Sequence, residues 1–225
     1  MAYALIAIQD ALRCTGLEVL IRESAAAERC VAVQSATELV SSSRNLNECS
    51  LVVVDLLLNG LPTFDVIGRV RARAKNVGIL ALDVDDDGDR AMRALRSGAT
   101  GVVSSIAPRR QLSAALTAVV EGRRFVQEHA LATLLEKVTG DTATTSHEQL
   151  SNREYQTLIM LGRGMRLVEV AVAMSISVKT ASTYRTRLIE KLGLRTTGEL
   201  IRYAISQGLV LTGTTSAQRK GALPR

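Results

Sequence analysis

Short apolar runs alternate with amphipathic segments over the first half of the chain. Five such runs occur, at residues 4–8, 30–33, 51–54, 78–82 and 101–103. Between them, segments such as TFDVIGRVRARA and QLSAALTAVVEG place apolar residues three and four positions apart, which is the spacing of an amphipathic helix. This alternation predicts a parallel sheet with helices on both faces. Five strands and five helices fit residues 3–122.

The pattern changes in the second half of the chain. EHALATLLEK can form one more helix, and VTGDTATTSHEQ then loses apolar periodicity and gathers Thr, Gly and Ser, which is typical of a linker. Helical spacing without strands follows. We therefore predict a sheet domain over 1–125, a linker helix and linker over 126–148, a small helical domain over 149–212 and a disordered tail over 213–225.

The helical domain opens with a helix-start signature. Ser151 is followed three residues later by Glu154, the capping-box pattern, ahead of an apolar segment. Gly162 and Gly164 predict the end of this helix. LVEVAVAM predicts a second short helix, and the break at SIS predicts a third from about Val178 to Leu192. Two short helices and a turn before a longer helix are typical of a helix-turn-helix.

The two sides of the third helix differ in chemistry. At about 100° per residue, Ala181, Tyr184 and Leu188 share one side, which we expect to pack. The opposite side and its flanks carry short hydroxyls, which let a backbone approach DNA closely, and long cations, which reach guanine edges or phosphates. An ordinary solvated helix face has a similar composition, so this pattern alone does not decide the function. The candidate DNA-binding residues are Lys179, Thr180, Ser182, Thr183, Arg185, Thr186, Arg187 and Lys191.

Charge is unevenly distributed along the chain. Residues 149–225 contain 12 Lys and Arg against 4 Asp and Glu, a balance of +8, whereas residues 1–148 contain 16 against 18, a balance of −2. A basic domain joined to a near-neutral one is typical of a nucleic-acid-binding module with a separate control module. We expect double-stranded DNA as a partner. We expect no membrane partner, because a basic amphipathic helix with large aromatics is lacking.

Few residues suit other kinds of chemistry. Cys14, Cys30 and Cys49 lack C-x-x-C spacing, which fits neither a disulfide framework nor a zinc site and suits a reducing compartment. His129 and His147 alone leave little material for a His-based metal site or a hydrolytic triad. No apolar run of about 18 residues and no signal-peptide pattern occurs. We expect a cytoplasmic protein that is not an enzyme and holds no cofactor.

The segment from LSNREYQTLIMLGRGM through EVAVAMSISVKTASTYRTRLIEKLGLRTTGELIRYAISQGLV closely resembles the LuxR-type helix-turn-helix domain of NarL/FixJ-family response regulators. It shares the opening L-[ST]-x-R-E, the EVA, the IS-x-KT entry to the recognition helix and the KLGL exit. The resemblance implies promoter binding and transcription regulation. It places Lys179, Ser182 and Thr183 in the major groove and Arg185, Arg187 and Lys191 near phosphates.

The resemblance also implies a homodimer. The final helix, about Thr197–Gln207, would contribute to it, and one short recognition helix alone offers too few base contacts for useful specificity. The chain departs from the family before the scaffold helix, where polar residues are usual and Leu167 and Val168 stand instead, with Val172 one turn on. Packing against the linker or the other domain, and contact with a partner, are both open for this strip.

The N-terminal half resembles the receiver domain of the same family, a flavodoxin-like (βα)5 fold. Asp55, which ends the strand LVVVD, falls on the phosphoacceptor position. Receivers hold the acyl phosphate with Mg²⁺ on an acidic pair and with a Lys, and a Thr or Ser reads the product. With Gly16 and Leu17 as register marks, these positions are occupied by Ile8 and Gln9 (acidic pair), Ser105 (Lys) and Asp83 (Thr or Ser), and the usual proline is Asn59.

We therefore expect an atypical receiver that works without Mg²⁺-dependent phosphorylation. With acids, Lys and switch hydroxyl gone, adding roughly two negative charges beside Asp55 and Asp83 costs on the order of several kcal/mol. The receiver would then serve dimerisation, a protein partner or a small ligand. Asp83 could supply a fixed negative charge that keeps the receiver active-like. The alternative is a conventional regulator that is activated by phosphorylation of Asp55.

Two further site types are disfavoured. An aspartate-nucleophile hydrolase needs a second acid two residues after the nucleophile, where this chain has Leu57. The acidic run DVDDDGD matches the start of a calcium loop, but the twelfth position, which must supply a bidentate Glu, is Ala94. We expect no metal site.

Overall fold

The computed structural model describes residues 2–42, 48–83, 88–127 and 146–210. The chain divides into two compact units, residues 1–144 and 145–225. Most of the predicted linker and all of the predicted tail lie outside the described residues, so the four-part domain division stays a prediction. Within the described residues, no helix is both long and apolar enough to cross a bilayer.

The N-terminal unit contains a six-stranded parallel sheet in the order β2-β1-β3-β6-β7-β8. This arrangement confirms the predicted flavodoxin-like fold. The elements in chain order are β1 (Tyr3–Ala7), α1 (Ala11–Glu23), β2 (Arg29–Val33), α2 (Ala36–Ser42), β3 (Cys49–Asp55), β4 (Leu57–Leu58), β5 (Leu61–Pro62), α3 (Phe64–Arg73), β6 (Gly78–Asp83), α4 (Gly88–Arg96), β7 (Gly101–Ser104), α5 (Arg109–Val120) and β8 (Phe125–Val126).

The apolar runs become the central strands because both faces of a parallel sheet are covered. Every residue of β6 is buried, as are Val52, Val53 and Val54 in β3. β3 pairs with β1 and β6, and its last residue, Asp55, lies opposite Leu82. The carboxyl ends of β3 and β6, with Asp55 and Asp83, therefore meet at one edge of the sheet, where ligands of such folds bind.

Three short strands of the N-terminal unit were not predicted from the sequence. β8 adds a sixth strand beside β7, and β4 pairs with β5 as a small antiparallel hairpin. Both involve strands of two residues, which are too short to show a period. The hairpin turn explains one departure from the receiver pattern, because Asn59 and Gly60 have φ of 53° and 71°. Proline fixes φ near −65° and cannot occupy the position of Asn59 in this turn.

The C-terminal unit is the predicted small helical domain. A short 3₁₀ helix (Ser146–Gln149) precedes α6 (Asn152–Gly162), α7 (Leu167–Ala173), α8 (Val178–Lys191) and α9 (Thr197–Ser206). The predicted capping box is present at the start of α6. Tyr155, Leu158, Val170, Leu188 and Leu200 form the buried centre of the unit.

The end of α8 depends on a glycine. Gly193 has φ of 65°, and the Leu194 N–H donates to the Ile189 carbonyl at 2.9 Å. This is the closing hydrogen bond of a Schellman motif, which needs a residue in the left-handed region. The motif accounts for the KLGL sequence and fixes where the recognition helix stops.

Candidate DNA-binding surface and receiver cleft

Helix α8 is fixed at its start and along one side. The Ser177 hydroxyl caps the helix by accepting from the Thr180 N–H at 3.1 Å. Ala181 and Leu188 are completely buried, and Tyr184 is half-buried beside them. Burial thus follows the predicted packing side of the helix. The opposite side faces solvent and presents the candidate DNA-binding residues.

These candidates differ in how much of their chemistry is available. Within the described part of the chain, the side chains of Lys179, Thr186 and Arg187 are exposed and make no hydrogen bond or ion pair. The Thr183 hydroxyl donates to the Lys179 carbonyl at 3.1 Å. The Thr180 hydroxyl lies 2.9 Å from the Ser177 hydroxyl, which commits it to the helix cap.

The two remaining polar candidates on this helix face, Ser182 and Arg185, are half-buried. The Nε atom of Arg185 is buried and has no hydrogen-bond partner among the described residues. Lys179, Thr186 and Arg187 are therefore the candidates with fully available polar groups. Contact of any of them with DNA stays a prediction.

Lys191 has a partner within its own domain. Its ammonium group donates to the Glu154 carboxylate at 2.8 Å, and Glu154 is buried at the start of α6. Burial raises the pKa of this carboxyl, but hydrogen bonds from Lys191 and Ser151 outweigh it and leave the pKa below its usual value. The ion pair thus ties the end of the recognition helix to the capping box of α6. The sequence predicts only a phosphate contact for Lys191.

We expect Lys191→Met to destabilise the C-terminal unit by about 1–2 kcal/mol, toward the low end because the ammonium is partly solvated. Because the pKa of Glu154 is depressed in the folded state, its stabilising effect is complete above the unfolded pKa and is lost as pH falls through the folded one. Urea unfolding of wild type and Lys191→Met between pH 7 and about pH 3 measures this. The two stability curves should converge at the acid end. A constant gap would mean that Lys191 stabilises by packing and not by charge.

The carboxylate of Asp55, at the receiver-type cleft, is bound by an arginine from helix α1. The Arg13 guanidinium donates to both carboxylate oxygens, at 2.7 Å and 3.1 Å. Only 6% of the Asp55 side chain is exposed, against 31% of Arg13. Two parallel N–H···O bonds of this kind are the strongest geometry for an arginine–carboxylate pair. The sequence pattern predicts only that Ser105 replaces the usual Lys, and it does not identify Arg13 as a cation that reaches the cleft from another position.

The local fold directs Arg13 into the cleft. Asp10 caps helix α1 by accepting from the Arg13 N–H at 3.0 Å, so Arg13 stands in the first turn of the helix that follows β1. Burial raises the pKa of Asp55, Arg13 lowers it, and the nearby acids Asp10 and Asp83 raise it further, with a net increase. Ionisation of the Asp55 carboxyl in the folded protein is therefore unfavourable relative to water. Such a perturbed pKa is typical of a site that is functional or descends from one.

Asp83 is neutralised by a second arginine. Arg90, in the first turn of α4, donates its Nε to one carboxylate oxygen of Asp83 at 3.2 Å, and its Nη2 lies 3.1 Å from the other. Only 4% of Arg90 and 3% of Asp83 is exposed. Asp83 therefore does not present a free negative charge, and the hypothesis that it keeps the receiver active-like is wrong in that form.

The residues at the other receiver positions do not fit Mg²⁺. Ile8 is buried and apolar, and the Gln9 side-chain amide donates to the Asn59 side chain. Ser105 offers no cation, and its N–H donates to the Asp83 carbonyl at 2.7 Å. Mg²⁺ requires oxygen ligands in near-ideal octahedral geometry. Here the Asp55 oxygens are already bound to a guanidinium, so we assign no step to a metal ion.

A signal for both arginines was present in the sequence. Arg13 and Arg90 each stand in the first turn of the helix that follows a sheet strand, β1 and β6. Helix starts and strand ends meet at the same edge of such folds.

Within the described residues, no cluster of three potential metal ligands occurs. Asp85, Asp86 and Asp87 of the acidic run lie outside them.

The environments of the three cysteines disfavour the reactive thiolate form. All are free, and burial raises the pKa of Cys49 to about 11 and raises those of Cys14 and Cys30 above their usual value. The thiolate is the reactive form, so raised pKa values disfavour redox sensing.

The apolar strip on α7 is exposed in this domain. Val172 and Val168 expose 75% and 58% of their surface, whereas Leu167 is half-buried. Nothing among the described residues of this unit covers the two valines, so both readings of the strip stay open.

Comparison with known proteins places these features in a family. The family described as bacterial regulatory proteins, luxR family (GerE), matches residues 148–204. The response regulator UvrY of Escherichia coli is 25% identical over 173 residues, which cover 76% of this chain and 79% of UvrY. The oxygen regulatory protein NreC of Staphylococcus aureus is 33% identical over 138 residues, which cover 59% of this chain and 64% of NreC.

Solved structures agree on the fold. RcsB from Salmonella enterica serovar Typhimurium, bound to promoter rprA in the presence of the phosphomimetic BeF₃⁻, matches with a TM-score of 0.62 and 21% identity, over 92% of this chain and all of RcsB. A structure of two RcsB dimers bound to two parallel DNAs matches with a TM-score of 0.52 and 22% identity, over 91% of this chain and 98% of that one.

A receiver-type sheet domain, a LuxR-type helix-turn-helix domain and these relatives together define a DNA-binding response regulator of the two-component type. Residues 148–204 match the LuxR family of bacterial regulatory proteins, and the wider chain is similar to response regulators of the NarL/FixJ type. Both named relatives are described as regulators.

Proposed function

We propose that this chain is a homodimeric, promoter-binding transcription regulator whose receiver works without Mg²⁺-dependent aspartyl phosphorylation. The observation that carries the proposal is the bidentate Arg13–Asp55 ion pair. This ion pair engages both carboxylate oxygens of Asp55, one of which would have to accept the phosphoryl group.

The chemistry of the cleft supports phosphorylation independence. To accept a phosphoryl group, a carboxylate oxygen must attack phosphorus with a free lone pair, next to a metal ion that neutralises the transferred charge. Both oxygens of Asp55 are bound to Arg13, and Ile8 and Gln9 replace the acids that hold the metal. Phosphorylation would have to break a largely buried ion pair and bind a metal ion without its acidic ligands.

The recognition helix supports promoter binding. Lys179, Thr186 and Arg187 share the solvent-facing side of α8 and keep their polar groups available. The ends of Lys and Arg reach base edges or phosphates, and short hydroxyls allow close backbone approach. The basic balance of residues 149–225, +8, supplies the electrostatic attraction to DNA.

A dimer agrees with the same geometry. RcsB is described as dimers bound to DNA. In this chain α9 buries Leu200 and Ala204 against its own domain and leaves Arg202 and Ile205 exposed. This exposed side of α9 is available to a second copy, and two recognition helices would read two half-sites.

Two observations favour the alternative, in which Asp55 is phosphorylated. Arg13 is 31% exposed and so has a path to solvent, and burial raises the pKa of Asp55 despite the ion pair. If the Arg13 side chain rotates into solvent, the Asp55 carboxylate becomes accessible. The phosphorylation-independent and the phosphorylation-activated functions predict different chemistry at Asp55. Phosphoryl labelling of the protein distinguishes them.

The test combines phosphoryl labelling with DNA binding. Wild type, Asp55→Asn and Arg13→Gln are incubated with acetyl phosphate and Mg²⁺ and examined by intact-protein mass spectrometry. Affinity for a duplex selected from random sequences by the wild type is measured in parallel. We expect no phosphoryl adduct on wild type and DNA affinities of wild type and Asp55→Asn within about twofold, well below the tenfold that 1.4 kcal/mol represents.

Arg13→Gln separates two causes of resistance. An adduct on Arg13→Gln but not on wild type would show that the guanidinium blocks Asp55, and no adduct on either would show that the missing metal ligands suffice. A Mg²⁺-dependent adduct on wild type that is absent from Asp55→Asn and tightens DNA binding would establish the alternative. Chromatin immunoprecipitation with sequencing of wild type and Asp55→Asn would then identify the promoters.

A further inference from the structure

A groove of about 430 Å³ runs between α1 and α5 of the N-terminal unit. Leu17, Leu20, Leu82 and Leu112 line it, so its floor is apolar. Small-molecule sites in proteins have volumes of about 300–1,000 Å³ and are mostly apolar, with a few polar groups that orient the ligand. The size and lining of this groove fall in that class.

Gly16 is the residue that opens the groove. It lies in the middle of α1 and lines the groove, and a Cβ atom placed on it would meet no other heavy atom within 4 Å. Neither close packing nor a left-handed backbone therefore requires glycine here. Glycine is an unfavourable residue inside a helix. What its missing side chain provides is space on the groove side of α1.

Two guanidinium groups, from Arg13 and Arg109, also line the groove. None of its lining residues carries a carboxylate, and Ser105 adds one hydroxyl. Arg109 forms an ion pair with Glu23, but 70% of Arg109 and 48% of Glu23 are exposed, so this pair is weak and easily exchanged. An anion entering the groove would find a matching cation at its rim.

We propose that this groove binds a small amphipathic carboxylate. Its apolar body lies on Leu17 and Leu112 beside Gly16, and its carboxylate binds Arg109 and competes with Asp55 for Arg13. Binding itself does not depend on the proposed function. The regulatory consequence does rest on it, because the ligand would reach through Arg13 the ion pair that replaces phosphorylation.

A second copy of the chain is the competing occupant. Leu12 and Ile106, which neighbour the groove-lining residues Arg13 and Ser105 in sequence, expose 83% and 80% of their surface. Protruding apolar side chains suit a protein interface. The groove itself is favoured as a ligand site because it is concave and its lining residues include two guanidinium groups and no carboxylate, and a test must separate the two occupants.

Decanoate, kept below its micelle concentration, is the probe, and decanol is its neutral match. Calorimetric titration of the full chain should show one saturable decanoate site per chain. Decanol should bind about tenfold more weakly, which is the effect of losing roughly one charge-assisted hydrogen bond. Arg109→Gln should weaken decanoate to a similar extent, and Arg69→Gln, an exposed arginine on α3, should not.

Gly16→Phe tests the site itself. It fills the groove and should weaken decanoate binding at least tenfold, whereas Thr15→Phe adds the same ring to the solvent side of α1 and should not. Light scattering of the same samples reports the oligomeric state, and circular dichroism reports folding. The proposal is overturned if wild type shows no saturable site, if Gly16→Phe binds as well as Thr15→Phe, or if Gly16→Phe dissociates a dimer that decanoate does not affect. None of these outcomes bears on the labelling of Asp55, so the two proposals fail separately.

Discussion

Replacing both Lys179 and Arg187 by Ala is expected to reduce affinity for the selected duplex at least about a hundredfold at moderate salt. Each side chain that contacts a base or phosphate contributes about 1–3 kcal/mol, and a dimer loses each contact twice. Both side chains are exposed on α8 and lack intramolecular partners within the described residues, so their removal should leave the fold intact. Fluorescence anisotropy of a labelled duplex measures the loss.

A salt series separates the two kinds of contact. The logarithm of affinity falls with the logarithm of salt concentration in proportion to the number of phosphates contacted. A side chain that binds phosphate should reduce this slope by about one per contact when it is removed, whereas a base-reading side chain should alter sequence preference. We expect Arg187→Ala to lower the slope and Lys179→Ala to relax preference within the half-site.

The matched control removes the same charges elsewhere. Arg69 and Lys75 are exposed in the N-terminal unit, so the double alanine variant at these positions has the net charge of the test variant. Its DNA affinity should remain within about twofold of wild type, a change of under 0.5 kcal/mol. If the DNA affinity of the double variant at Lys179 and Arg187 also remains within about twofold of wild type, α8 does not bind DNA. The chain would then be a protein-binding adaptor.

Replacing Arg90 by Met is expected to destabilise the N-terminal unit by about 3–5 kcal/mol, because it leaves the Asp83 carboxylate buried without this counterion. The pair is almost inaccessible, with 4% and 3% of the two side chains exposed. Urea unfolding followed by circular dichroism measures the effect. Arg13→Gln is a useful comparison, since Arg13 is partly exposed and its loss should cost clearly less.

The double variant Asp83→Leu with Arg90→Met tests the physical cause. Replacing a whole buried ion pair by apolar residues of similar volume is often nearly neutral, whereas breaking it is not. We expect the double variant to recover most of the stability that Arg90→Met loses. If it is as unstable as the single variant, Arg90 acts mainly through packing or through other partners.

The sequence predicted the architecture well for a physical reason. β3 and β6 are central strands of a parallel sheet, and such strands must be apolar on both faces. The apolar segments LVVVD and GILALD therefore predict them. The ends of the C-terminal helices were equally visible, since the Ser151 capping box and Gly193 act within a few residues. Strands of two residues, such as β8, carry too little pattern to be found.

The candidate sites were predicted less evenly. The exposed side of α8 followed from the helical period, because Ala181 and Leu188 had to face inward. The receiver pattern showed which metal ligands are missing and that the usual Lys is replaced, but it did not reveal that Arg13 supplies a cation to the cleft. Alignment to a known pattern shows absent groups at expected positions, and it does not show new groups that arrive from other positions.

By itself the sequence determined the order of the five longer strands and of the α-helices, the basic charge of the C-terminal half, the packing side of the recognition helix and the absence of the usual acidic pair at Ile8 and Gln9. All of these depend on residue type and local period. Only the tertiary structure decided which charges meet. Arg13 lies 42 positions from Asp55 and Lys191 lies 37 from Glu154, and such pairs form because strand ends and helix starts converge in space.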